Sequence, residues 1–249
     1  MRKLVAALAC RIKGSRLYGK PLQNLDIEKG ITILDFQIST LKAIRCIKEI
    51  ILGIADGKDN QAFIEFAQER KLKYIVGDED DVLGRLIKCG ESVGATDLFR
   101  VTTESPFIHY EPIEKAWKSH VEGNFDATFC DKVPDSSNFE IVSLAALQKS
   151  HTDGQRKHKS ELVTSYIREN KDKFTIRYID IPQELQRKDI RITVDYPEDL
   201  ILCREVYNHF KGKSPLIPIS DIVHYLDTRK DLLEMVAPFC EEGYATMYK

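Results

Sequence analysis

The sequence predicts an α/β protein built on a doubly wound, mostly parallel sheet. Short continuous apolar runs of strand length alternate with segments of helical period, and this alternation recurs four times before residue 122. Alternation of that kind implies parallel strands joined by right-handed helical crossovers. The chain has 249 residues, 43% hydrophobic and 31% charged, a balance that supports a sizeable core without disulfide staples.

The elements follow in order. Residues 3–9 form an uninterrupted apolar run, as expected of a parallel strand covered on both faces. Residues 10–20 are polar and rich in Gly, Arg and Lys. A helix is predicted over 33–47, where Leu34, Ile38, Leu41 and Ile44 recur at helical spacing. Strand 49–55, helix 60–70, strand 73–76, helix 80–93, strand 97–102 and helix 112–121 follow. The last of these carries its proline early, where a helix tolerates it. After residue 125 the rhythm changes. Residues 125–130 and 139–142 read as strands, 155–170 as a polar helix and 174–181 as a strand. A buried last core strand at 190–194 leads into a long helix over 197–210. Residues 131–189 are thus predicted to form an inserted, β-containing arm. Its apolar pieces need cover, which points to a homodimer interface. A helix near 219–226 and a Tyr-rich tail complete the chain, the C-terminal helix and tail spanning about 214–249.

Lys plus Arg number 37 and Asp plus Glu 39, for a net charge of −2. A dedicated nucleic-acid binder carries a basic excess, so a nucleic-acid partner is not expected. Any anion must be held by a local cluster of basic groups. The six cysteines include no Cys-x-x-Cys pair and no zinc-site spacing, which suits free thiols in a reducing cytoplasm. The first ten residues imitate a lipidated signal sequence, but the apolar run is short and Arg11 and Lys13 follow at once. No apolar run approaches the roughly 18 residues of a membrane span. The expectation is a cytoplasmic protein with no membrane partner.

In an open parallel sheet, ligands bind beyond the carboxyl ends of the strands. Three segments should meet there: 10–20, 102–107 and 194–199. In the first, glycines let backbone N–H groups turn toward a phosphate while Arg11, Lys13, Arg16 and Lys20 neutralise it. Neither a Walker loop nor a Gly-x-Gly-x-x-Gly fingerprint is present. Asp195 leaves the end of a predicted core strand just before Pro197. It can serve there as a helix cap or hold a divalent cation against phosphates. Glu198 and Asp199 suit the start of a helix, where the dipole favours acids. Glu104 reads as a loop acid, or as a second carboxylate facing Asp195.

Arg11, Gly14, Ser15, Arg16, Leu17, Gly19, Lys20, Pro21 and Leu22 together resemble the Ala-Arg-x-x-Ser-x-Arg-Leu-Pro-Gly-Lys-x-Leu signature of the sugar cytidylyltransferases. That group includes the CMP-3-deoxy-octulosonate and CMP-sialic acid synthetases. Gly77-Asp-Glu-Asp-Asp-Val-Leu-Gly-Arg85 is similar to a motif of the spore-coat-polysaccharide branch. Glu161-Leu-Val-Thr-Ser-Tyr-Ile-Arg-Glu-Asn170 and Arg191-Ile-Thr-Val-Asp-Tyr-Pro-Glu-Asp-Leu200 continue the match in order.

The resemblance covers roughly residues 3–230 and implies one Rossmann-like nucleotidyltransferase domain over 1–249. Its partners would be CTP and an acidic sugar or related acceptor, its cofactor Mg²⁺ and its usual state a homodimer. By position, Lys20, Arg11 and Arg16 would stabilise the triphosphate and leaving group. Ala9, Gly14, Ser15, Asp81, Arg85 and Thr103 would lie on the nucleotide side, and Asp195 with Glu104 would hold the metal. Structurally, Asp81 and Arg85 also fit a helix start with a charge pair four residues apart. Two rivals follow from departures at Gly14, Tyr18, Thr103, Glu104 and Leu162. One is another nucleotide such as GTP, or a phosphorylated acceptor. The other is a catalytically weak regulatory or scaffold relative.

Overall fold

The computed structural model describes residues 2–14 and 16–247, with side chains to residue 241. The chain opens with β1 (Leu4–Cys10), followed after the basic loop by the short hairpin β2 (Asn24–Asp26) and β3 (Ile31–Thr32). Three strand–helix units then alternate: α1 (Ile33–Ala43), β4 (Ile47–Ala55), α2 (Gln61–Glu69), β5 (Lys73–Gly77), α3 (Val82–Ser92) and β6 (Asp97–Arg100). Next come α4 (Ile113–Glu122), β7 (Ala127–Phe129), β8 (Glu140–Ser143), α5 (Leu144–Asp153), α6 (Ser165–Glu169) and β9 (Ile176–Tyr178). The helices α7 (Pro197–Phe210), α8 (Ile219–Asp227) and α9 (Lys230–Met247) close the chain.

The main sheet runs β5-β4-β1-β6-β8-β7-β9. β1 pairs in parallel with β4 and β6, and β5 with β4, as the apolar runs predict. β8 is antiparallel to both its neighbours, and β9 runs parallel to β7 at the edge. The protein therefore has a mostly parallel, Rossmann-like α/β fold. Local chemistry agrees with it. Thr32 and Asp35 form a reciprocal capping box that starts α1, and the Asp35 carboxylate also takes two hydrogen bonds from Arg70 at the end of α2. All six cysteines are buried and free.

Four segments differ from expectation. Residues 131–189 do carry β-structure, but β8 and β9 join the main sheet instead of standing apart as an arm. Val142, Leu147, Val163 and Ile167 share one apolar cluster with Val5 and Leu98 of the central strands, and that shared core draws the segment in. The polar helix over 155–170 is broken into a 3-10 turn at Arg156–Lys159 and the short α6. His158 and Val163 are both buried, yet five residues apart they would point about 140° away from each other on one helix. Residues 190–194 are not a sheet strand. They make one isolated bridge to Asp135, while Ile190, Ile192 and Val194 pack among α7 and α8, and β8 occupies the place beside β6. Residues 230–247 of the expected Tyr-rich tail form the helix α9, whose Leu232, Val236 and Cys240 are buried at spacings of four, and Tyr248 and Lys249 lie outside the described residues. Helix α5 was unforeseen; Ser143 caps it by accepting the Ala146 N–H at 3.2 Å.

A candidate active site at the carboxyl edge of the sheet

The basic loop is folded by its own sequence. Ile12 is buried and donates its N–H to Asn60 Oδ1 at 2.8 Å. Gly19, at φ 61°, turns the chain back so that its N–H reaches the Ile12 carbonyl at 2.9 Å. Such a left-handed turn suits glycine. At Gly14 a side chain would collide with the Leu17 carbonyl. The loop therefore stands as a closed turn beyond the end of β1, with Arg16 and Lys20 directed to Asp195 and Lys13 to Asp59.

A cleft of about 470 Å³ opens there. It gathers Ala9, Arg11, Gly14, Arg16, Lys20, Arg85, Thr103, Glu104 and Asp195 from the sequence-predicted set. The three segments expected to converge do so. Ser15 lies outside the described residues. Asp81 stands apart, a correction to its expected place beside the nucleotide. One of its oxygens caps α3 by accepting the Gly84 N–H at 2.8 Å, and the other meets His151 Nε2 at 2.6 Å. Thr103 is buried, and its hydroxyl donates to the Ala9 carbonyl at 2.9 Å, so it braces the cleft floor.

Asp195 is the electrostatic centre of the cleft. Its Oδ1 meets Lys20 Nζ at 2.5 Å and Arg16 at 3.3 Å, and its Oδ2 meets Arg191 at 2.7 Å. Burial pushes this carboxyl upward, but the hydrogen bonds and charges of Lys20 and Arg191 hold it below the usual carboxylate range. It is not the helix cap. Tyr196 occupies that position, with Asp199 closing the box at 2.9 Å from the Tyr196 N–H. The Arg16 guanidinium also lies 5.0 Å from the Tyr196 ring centroid. Glu104 behaves oppositely to Asp195. Burial raises its pKa, with Asp195 adding to the rise and Lys20 opposing it. On the outer rim, Arg11 reaches Glu161 at 3.4 Å, an exposed pair.

Arg85 is different again. Its side chain is 2% exposed, and its Nε has no hydrogen-bond partner. One terminal nitrogen donates to the Asp78 carbonyl at 2.5 Å. Burial lowers its pKa, and among the described residues no carboxylate forms an ion pair with it. An unpaired buried cation on a cleft wall is poised for an anion or a polar base edge.

Among the described residues no group of three or more His, Cys, Asp or Glu could by itself hold a metal ion. Mg²⁺ does not need one, since it is commonly bound by one or two carboxylates together with substrate phosphates and water. Asp195 and Glu104, two hard oxygen donors whose charges oppose each other, fit that pattern. Three residues were missed from the sequence: Arg191, Asp135 and Arg100, all on the cleft wall. The readable signal was Arg191 inside an apolar run, with Asp195 and Asp199 at successive spacings of four. A charge in such a run must find partners.

Residues 5–211 match the family model described as cytidylyltransferase. The chain belongs to the cytidylyltransferase family. As a cytidylyltransferase it is a nucleotidyltransferase by class. It is 26% identical to an uncharacterized protein of Methanocaldococcus jannaschii, over 97% of this chain and 98% of that one. It is 22% identical to the spore coat polysaccharide biosynthesis protein SpsF of Bacillus subtilis, over 93% and 97%. Among solved structures, a cytidylyltransferase from Leptospira borgpetersenii superposes with a TM-score of 0.82 at 17% identity, covering 94% of this chain and 97% of that one. A CMP:2-keto-3-deoxy-manno-octonic acid synthetase complexed with CTP gives 0.59 at 15% identity, covering 83% and 99%. At those identities the structures speak for the cytidylyltransferase's fold. No helix among the described residues is long and apolar enough to cross a membrane.

Proposed function

We propose that the cleft binds CTP and transfers its CMP to an acidic sugar or related hydroxylated acceptor, releasing pyrophosphate, in surface-glycan synthesis. The observation that carries this reading is the convergence of Lys20 and Arg16, both on the loop after β1, upon Asp195. An acceptor oxygen would form a bond to the α-phosphorus as the bond to pyrophosphate breaks on the opposite side. Positioning and charge neutralisation supply most of the catalysis in such a step. Lys20, Arg16 and Arg11 would take up the charge of the triphosphate and of the departing pyrophosphate. Arg85, free of any carboxylate, would meet the nucleotide on the opposite wall. Asp195 and Glu104 would hold Mg²⁺, which supplies Lewis-acid charge and a template for the phosphates.

The reading extends to assembly and location. β9 is an edge strand with Tyr178 46% exposed, which supports a two-fold dimer built on the 131–189 segment. Light scattering should report a dimer at micromolar concentration; a monomer would overturn that part. Buried free thiols are consistent with work in the cytoplasm. For the nucleotide, melting with Mg²⁺ and each of CTP, GTP, UTP and ATP is the first test. CTP should raise the Tm selectively, because a bound ligand stabilises by mass action. A selective shift with another nucleotide would replace CTP. Pyrophosphate release over a panel of acidic sugars and phosphorylated acceptors then identifies the acceptor, and no release with any of them would favour a binding role.

A further inference from the structure

We propose that Arg191 is a positioning residue that fixes one oxygen of Asp195 so that the other is presented to the cleft. The proposal rests on the reading of Asp195 as the acid that meets the metal–triphosphate complex.

Arg191 is 1% exposed, and its guanidinium is divided among three carboxylates. Nε donates to Asp199 Oδ1 at 2.9 Å, and one terminal nitrogen serves Asp195 Oδ2 at 2.7 Å and Asp199 Oδ2 at 3.1 Å. The other terminal nitrogen donates to Asp135 Oδ2 at 2.6 Å. Asp199 in turn accepts the Asp195 N–H at 2.9 Å, so side chain and main chain of Asp195 are tied to the same ion cluster. Asp135 adds main-chain bonds on either side of Arg191, to the Ile190 carbonyl at 3.0 Å and from the Ile192 N–H at 3.3 Å. Only the planar five-donor fork of arginine can serve three acids in this way; a lysine ammonium is a single point charge.

Stability alone is a weak reason for such a cluster, since well-packed apolar residues often replace buried ion pairs at no loss. An apolar side chain could not orient a carboxylate. With Oδ2 held from behind, Oδ1 faces Lys20 and Arg16 inside the cleft. Groups that orient metal-binding side chains from behind are worth about 10–100-fold in metal affinity or activity.

The test compares wild type with Arg191→Lys, Asp135→Asn and Asp195→Asn. Two readouts are taken: Mn²⁺ affinity of the CTP-bound protein by electron paramagnetic resonance, and the Mg²⁺ concentration giving half-maximal pyrophosphate release. Arg191→Lys should weaken Mn²⁺ binding and raise the Mg²⁺ requirement by about 10-fold or more. KM for CTP at saturating Mg²⁺ should move much less than the metal requirement, because all three Arg191 nitrogens are already engaged by Asp135, Asp195 and Asp199. Asp135→Asn, which loosens Arg191 without touching Asp195, should shift both readouts the same way but less. Asp195→Asn should lose the Mn²⁺ site. If it does, while Arg191→Lys and Asp135→Asn keep wild-type metal affinity, the positioning role is overturned and the Asp195 reading stands. If Asp195→Asn itself binds Mn²⁺ normally, the Asp195 reading falls and the positioning role with it. Should Arg191→Lys not fold, Asp135→Asn decides the matter.

Discussion

Two buried arginines face the same cleft under opposite electrostatic conditions. Arg191, 1% exposed, is shared among Asp135, Asp195 and Asp199, and these acids, with burial opposing, raise its pKa. Arg85, 2% exposed, has an unpartnered Nε, and burial lowers its pKa. Burial by itself therefore says little about what an arginine does. The inventory of its partners separates a group that supports its neighbours from one that awaits a ligand.

The comparison is broken most directly by replacing each with methionine. Arg191→Met leaves three acids without their shared cation and should cost about 3–5 kcal/mol in chemical denaturation. Arg85→Met removes a cation that has no acid to abandon, so the ligand-free protein should stay within about 1 kcal/mol of wild type while CTP binding weakens. Equal losses of stability in the two variants would erase the distinction.

Lys20→Ala sharpens the same contrast from within the cleft. Lys20 meets Asp195 at 2.5 Å but belongs to the basic loop, so its loss should be chemical first. Turnover should fall by about 10²-fold or more, the usual result of deleting a partner of transition-state charge. Unchanged kcat and KM would place the loop outside the reaction.

A third cluster provides the control. Glu140 is buried between Arg100 and Arg168, at 3.4 and 2.9 Å, and their charges outweigh burial to lower its pKa. A depressed carboxylate contributes stability above its ordinary unfolded pKa of 4.5 and loses that contribution as pH falls through the folded value. Glu140→Gln should therefore cost about 2 kcal/mol at neutral pH, with the difference from wild type shrinking in acid. A pH-independent difference would show that packing, not charge, holds the cluster. The smallest effect belongs to Asp81, the cap of α3. Asp81→Ala should cost about 1 kcal/mol and leave the KM for CTP unchanged.

Much of this was legible beforehand, for identifiable reasons. Continuous apolar runs located β1 and β4, because strands covered on both faces carry no polar alternation. The rule that ligands gather beyond the strand ends placed the basic loop after β1 at the cleft, whereas Asp195 lines the cleft although the run before it, read as a strand, is not one. Residues 190–194 misled, since an apolar run reports burial and not hydrogen-bond partners; the segment is buried without joining the sheet. Asp199 read as a dipole-favouring acid, and it does close the cap, but its contact with Arg191 is tertiary. Arg191 was marked only by its place between two isoleucines and by Asp195 and Asp199 at successive spacings of four. The order β6-β8-β7-β9 was equally hidden, because short strands near residues 127, 140 and 176 can be arranged in several ways and only packing chooses.

The six buried thiols give the molecule an internal clock for breathing. Cys10 ends a central strand, Cys89 lies in α3, Cys203 in α7 and Cys240 in α9, so every apolar cluster contains at least one sulfhydryl. Burial raises the pKa of each of these thiols and suppresses the thiolate that reacts with alkylating reagents. Modification must wait for local opening, and the labelling rate at each cysteine reads the opening free energy of its neighbourhood. Cys240, 9% exposed near the end of the chain, should be labelled early, and Cys10 at the sheet centre only when the whole core lets go.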